Sequence, residues 1–165
     1  MKYKFRLDKS YNRAFINIRA LGWRRPKDKE IALQDCKTIA VVYPHLLGDV
    51  VMATPFFRKL RQIAPQAKIT FIGANWAKQL LANQNLIDEF ICFKNPRAML
   101  GAQVMLKNWR DVWQTLKQAR KQMFDVVIEP FGSTTALLFM SFLRAKHYVG
   151  VDFANLSKLQ TFTVP

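Results

Sequence analysis

Acidic residues are scarce in this chain. Eleven aspartates and glutamates stand against 26 lysines and arginines, leaving a formal net charge of +15 over 165 residues. An excess of that size points to a polyanionic partner: nucleic acid, an anionic membrane surface or a phosphorylated substrate. Cysteine is nearly missing. Cys36 and Cys92 are far apart and in no ligand-like pattern, which reads as free thiols in a reducing cytosol rather than a disulfide or metal site. Long apolar runs are also missing. The most apolar window, 136–143, is far short of the ~20 residues a membrane-spanning helix needs. No early apolar run has signal-peptide length, so the expectation is a protein that is soluble or bound only to a membrane surface.

Glycine is sparse where nucleotide-binding loops need it. The first turn offers only Gly48, whereas a dinucleotide fingerprint needs three glycines at fixed offsets. A phosphate-binding loop needs a Gly-Lys-Ser/Thr ending, which does not occur. Neither His-Glu-x-x-His nor Gly-x-Ser-x-Gly is found, so zinc-protease and nucleophile-elbow chemistry have no sequence basis.

What is present is a core. Half of the residues are hydrophobic, and the length suits one domain. Charge is uneven: residues 1–30 hold ten basic and three acidic side chains, a surplus of seven. Residues 1–36 therefore form a basic extension distinct from the body. Within it Tyr11, Ala14, Phe15, Ile18 and Leu21 recur at helical spacing, with Trp23 following. Two readings stand: a basic amphipathic helix on an anionic membrane, or a helix packed on the body with a solvated basic face.

From residue 37 strand and helix patterns alternate. Short apolar runs predict strands over 39–43, 68–72, 89–93, 125–129 and 147–151. Helices are predicted from Asp49 or Thr54 to Ile63, then over 75–82, 105–121 and 133–143. Either Thr54 caps the first helix with Pro55 at its first position, or Asp49 does. The fold class is α/β: a Rossmann-like open parallel sheet of about five strands, helices on both faces, spanning 37–152. Residues 153–165 read as a linker or tail.

Ligands of such sheets gather at the carboxyl ends of the strands. Asp49 sits there, directly after Gly48. A carboxylate in that place can serve as a general base; equally, aspartate is a favoured helix N-cap.

The run VVYPHLLGDVVMATPFFRKLRQIAP, with Gly48-Asp49 and Thr54-Pro55, resembles the N-terminal domain of glycosyltransferase family 9, the ADP-heptose:lipopolysaccharide heptosyltransferases. The following AKITFIGANWAKQLLANQNLIDEFI, FDVVIEPFGS and KHYVGVD resemble its second, fourth and fifth strand regions. The likeness covers about 38–152. It implies the N-terminal half of a GT-B fold, two Rossmann-like domains facing across a cleft. It implies an inverting, metal-independent transfer of heptose from ADP-heptose to the lipopolysaccharide inner core, at the inner face of the bacterial inner membrane. By the same match Asp49 is the general base, and Gly48 and Thr54 belong to the acceptor-side motif. No cofactor is implied. ADP-heptose would be bound mainly by a C-terminal donor domain, which lies past the point where this sequence stops. The basic residue usual in the family after its first strand is replaced here by Tyr43, Pro44 and His45; His45 carries that charge only when protonated.

Further candidates lie around the fourth strand. Glu129 ends it, lining the acceptor cleft or holding the structure by hydrogen bonds. Gly132 and Ser133 open the next helix, offering backbone donors to an acceptor phosphate or carboxylate, or simply capping it. Trp109 and Trp113 read as core. Lys107, Arg110, Lys117, Arg120 and Lys121 read as a solvated basic face. Two other function classes compete: a non-catalytic module that binds the acceptor or a partner subunit, and a nucleic-acid-binding protein. The last lacks any groove-reading or base-stacking motif.

Overall fold

A computed structural model describes residues 31–151, Gln160 and 162–164. The amphipathic pattern of 11–21 lies outside the described residues. The first strand, β1 (Thr38–Tyr43), is followed by two short helices, α1 (Leu47–Met52) and α2 (Thr54–Ile63). Then come β2 (Lys68–Ala74), α3 (Trp76–Leu81), β3 (Glu89–Phe93), α4 (Ala102–Lys107) and α5 (Trp109–Ala119). The order closes with β4 (Phe124–Glu129), α6 (Thr134–Ser141), β5 (Ala145–Val151) and β6 (Phe162–Val164).

All pairings are parallel, in the order β3-β2-β1-β4-β5-β6. Parallel strands need crossover connections, and helices covering both faces make the strands apolar throughout. Ile39 to Tyr43 are accordingly all buried. One face packs Ile39, Val41, Ile69 and Phe71 against Phe57 and Leu60 of α2 and Ala77 and Leu81 of α3. The other packs Ala40, Val42, Ile72 and Val127 against Leu116 and Ala119 of α5 and Leu137 and Met140 of α6.

Three features differ from the expected layout. The first helix is two, and Asp49 is its third residue rather than its cap. Ala53 is the N-cap of α2, and Thr54 instead donates its Oγ1 hydrogen to the Val50 carbonyl at 3.3 Å. The helix expected over 105–121 breaks at Asn108, whose side-chain amide donates to the Val104 carbonyl at 2.8 Å, competing with the backbone ladder. The segment read as a linker supplies a sixth strand: Phe162–Val164 pairs with Val149–Val151.

Side-chain ties fix the starts of the central strands. Arg61 bonds Asp88 at 2.6 Å, and the same carboxylate oxygen accepts the Ile69 N–H at 2.6 Å. Asp125 accepts the N–H groups of Lys37 and Thr38 at 2.9 and 3.0 Å, locking the start of β1 to β4. Gly73 is required where β2 passes β1. A Cβ there would stand 2.4 Å from the Tyr43 carbonyl oxygen.

Candidate functional site

The strand order reverses at β1. The chain leaves β1 for β2 and β3 on one side and returns to β4 on the other, so the crevice between the carboxyl ends of β1 and β4 is the topological switch point. The loops after those two strands meet there. His45, beyond β1, lies 4.2 Å ring to ring from Phe131, beyond β4, and 4.6 Å from Tyr43. Tyr43 and Phe131 meet edge to face at 6.2 Å.

On the β1 side, Asp49 is half-buried. Its Oδ2 accepts the Leu46 N–H at 3.1 Å, and its Oδ1 takes no hydrogen bond from any described residue. The Tyr43 hydroxyl donates to the Asp49 carbonyl at 3.1 Å, which holds α1 against the strand end. Burial, with the nearby charges of Asp49 and Glu129, pushes the Tyr43 phenol up to about 12, so it stays a donor. Gly48 is exposed in α1, and a Cβ built there meets nothing within 4 Å. The glycine therefore leaves open space beside Asp49. Thr54 opens α2 beyond it, and its hydroxyl is tied back to Val50 of α1.

His45 is more than a loop residue. It is 8% exposed, and its Nε2 has no hydrogen-bond partner among the described residues. Burial lowers its pKa and outweighs the opposing pull of Asp49, so the imidazole is neutral at pH 7. It does not replace a basic side chain. Trp76 Nε1 donates to the His45 carbonyl at 3.0 Å, anchoring this loop to α3.

On the β4 side Glu129 is fully buried. Its Oε2 accepts the Gly132 N–H at 2.7 Å; its Oε1 accepts those of Phe131 and Ser133 at 3.3 and 3.2 Å. Gly132 has φ +79°, a left-handed conformation that wraps the turn around the carboxylate. Desolvation outweighs the three donors and raises the Glu129 pKa to about 7. The backbone donors of Gly132 and Ser133, expected to face an acceptor, are thus engaged by Glu129. Ser133 is the N-cap of α6 by position but makes no side-chain capping bond; its hydroxyl meets that of Thr135 at 3.2 Å.

The structure brings Asp49, Gly48, Glu129, Gly132 and Ser133 to one end of the sheet. The tryptophans of α5 are not part of it and are not core: Trp109 and Trp113 are each 59% exposed. Residue patterns weighed His45 only as a substitute for a basic side chain and gave Tyr43 and Phe131 no role; the meeting of these three rings comes from strand order. A usable signal was the Glu-Pro-Phe-Gly run after an apolar strand, since a carboxylate before a glycine turn can collect the turn's N–H groups. Among the described residues no three His, Cys, Asp or Glu side chains cluster as metal ligands, and no helix is long and apolar enough to cross a membrane.

Neither a protein-family model nor a curated protein matches the chain. Solved structures do. A family 9 glycosyl transferase from Veillonella parvula superposes with a TM-score of 0.65 at 23% identity, covering 84% of this chain and 38% of that one. The E. coli ADP-heptose lps heptosyltransferase II gives 0.60 at 20% identity, covering 78% and 35%. The E. coli heptosyltransferase WaaC, solved with ADP, gives 0.62 at 16% identity, covering 77% and 41%. The chain therefore spans about two-fifths of the length of the structures it matches, and it shares the fold of one part of these GT-B glycosyltransferases.

Proposed function

We propose that this chain is the acceptor-side domain of a heptosyltransferase-like glycosyltransferase, with Asp49 as the general base. The observation that carries the proposal is the position of Asp49: a half-buried carboxylate with one backbone donor, at the switch point of a sheet shared with heptosyltransferases. In this reading an acceptor sugar hydroxyl settles against Asp49 Oδ1 over the open space at Gly48. Asp49 takes the hydroxyl proton as the oxygen attacks the anomeric carbon of ADP-heptose, and ADP leaves from the opposite face with inversion. The donor would be held by a second domain across the cleft. The acceptor would be the phosphorylated inner core of lipopolysaccharide, which suits a net charge of +15 and a place at the inner face of the membrane.

The test supplies ADP-heptose and a heptose-deficient core acceptor to the full chain, alone and with a donor-binding domain from a heptosyltransferase. Asp49→Asn should lower transfer by about 10²–10⁴-fold, the usual yield of a positioned general base, with an unchanged melting curve. Transfer retained in Asp49→Asn would remove the carboxylate from the base role. A second reading is an acceptor-binding module without transfer. It predicts acceptor binding with no transfer under either condition.

A further inference from the structure

Among the described residues, helices α4 and α5 leave an apolar face uncovered. Leu106 is 57% exposed, Trp109 and Trp113 59% each, and Phe142 at the end of α6 38%. With Leu138 they line an open groove of about 260 Å³ between α5 and α6. Trp109, Trp113 and Leu106 form a row beside the buried row of Val112, Leu116 and Ala119, so the helix presents two adjacent apolar stripes and the sheet uses only one.

The rim of this groove has one sign of charge. On the helical wheel of α5 Arg110 and Lys117 fall in a single stripe next to the two tryptophans, and Lys121 lies exposed in the turn just past the helix. Lys107 precedes them, and Arg120 and Arg144 flank a more polar hollow of about 300 Å³ that shares Phe142 with the groove. Arg110 stacks over the Trp109 ring at 5.6 Å. The lone acid between positions 101 and 124 is Asp111, and its carboxylate is turned away, accepting the N–H groups of Lys94 and Asn95 at 2.9 and 2.7 Å.

We propose that this face docks on an anionic lipid bilayer, with Trp109 and Trp113 at the headgroup level, Leu106 and Phe142 against the acyl boundary, and the basic stripe on lipid phosphates. Charge decides among occupants. A second copy would bring an identical basic rim against this one. Residues 1–30 of the same chain carry their own surplus of seven positive charges and would be repelled. Anionic lipid satisfies both the apolar groove and its rim, and interfacial tryptophan with flanking lysine and arginine is the composition such surfaces use. The inference is independent of the glycosyl-transfer reading, because it uses no residue of the switch-point crevice.

The experiment floats the full chain with vesicles of phosphatidylcholine alone and of phosphatidylcholine mixed with phosphatidylglycerol, and follows tryptophan quenching by bromine-labelled acyl chains. The intact chain should bind only the anionic vesicles. Trp109→Ser with Trp113→Ser should abolish the quenching and weaken binding about tenfold or more, since two interfacial anchors leave together. Arg110→Gln, Lys117→Gln and Lys121→Gln should each weaken binding roughly fivefold. All five side chains are exposed, so melting curves should be unchanged. Failure of the intact chain to bind would overturn the proposal. So would full binding and quenching in the double tryptophan variant, which would place the contact in the basic first 30 residues, or loss of self-association rather than of lipid binding.

Discussion

Glu129 offers a direct measure of what burying a charge costs this fold. Its pKa stands at about 7 in the folded chain against an ordinary 4.5, with desolvation the dominant cause. Between those values the folded state holds a proton that the unfolded state has lost. Stability must therefore fall as pH rises from about 4.5 to about 7, then level off, since the slope follows the difference in bound protons. A separation of that size corresponds to roughly 3 kcal/mol in all. Glu129→Gln removes the titration. It also places an amide where three N–H groups point, so at least one donor loses its acceptor, costing about 1–3 kcal/mol at every pH. The assay is urea unfolding of both proteins from pH 4 to 8. Buried His45 acts with the opposite sign, because its lowered pKa makes stability fall as pH drops below its ordinary 6.5. The informative quantity is therefore the difference between the two proteins, in which His45 cancels. The variant should be the less stable at pH 4, and the gap should shrink or invert by pH 8. A gap independent of pH would refute the reasoning.

Asp125→Ala should cost about 2 kcal/mol at neutral pH. The Lys146 ammonium and the Lys37 and Thr38 N–H groups hold the Asp125 pKa down to about 2, so that stability is present above its ordinary 3.8 and disappears as pH falls toward 2. The variant and the natural chain should converge in acid, read by the same urea titration. Gly73→Ala should destabilise by about 3 kcal/mol or prevent folding, because its Cβ would overlap the Tyr43 carbonyl and the Phe71 ring; thermal melting checks it. Gly48→Ala should leave stability equal or raise it by up to about 1 kcal/mol, since the residue is helical with open space around it. The same variant should weaken acceptor binding if the acceptor approaches Asp49 over that glycine, measured as a rise in KM for acceptor.

The sheet was legible because each strand is a short apolar run between breakers. The strand over 89–93 was expected and observed with the same bounds. The fold class followed from the alternation of strand and helix. The position of Asp49 at a strand end was equally readable. What a linear pattern could not carry was which of two neighbouring apolar rows faces the sheet. Leu106, Trp109 and Trp113 fit a helical period as well as Val112 and Leu116 do, and only packing against β3 and α6 chose between them. The break at Asn108 arises from its side chain bonding both Val104 and Asn95, the second a contact across 13 positions. The sixth strand is three residues long, too short for any period, and exists because β5 offers an edge.

The two carboxylates of the crevice have opposite surroundings, and that opposition bears on which of them can do chemistry. Glu129 spends both oxygens on three backbone donors, is closed off from solvent, and keeps its proton to about pH 7. Taking a proton from an incoming hydroxyl would require the turn at Phe131–Ser133 to open. Its work is to shape that turn and so to place Phe131 against His45, joining the loops after β1 and β4. Asp49 has one donor, partial exposure and a glycine beside it. The buried carboxylate holds the wall of the crevice, and in the proposed reading the more open one, Asp49, is the side chain an acceptor hydroxyl meets.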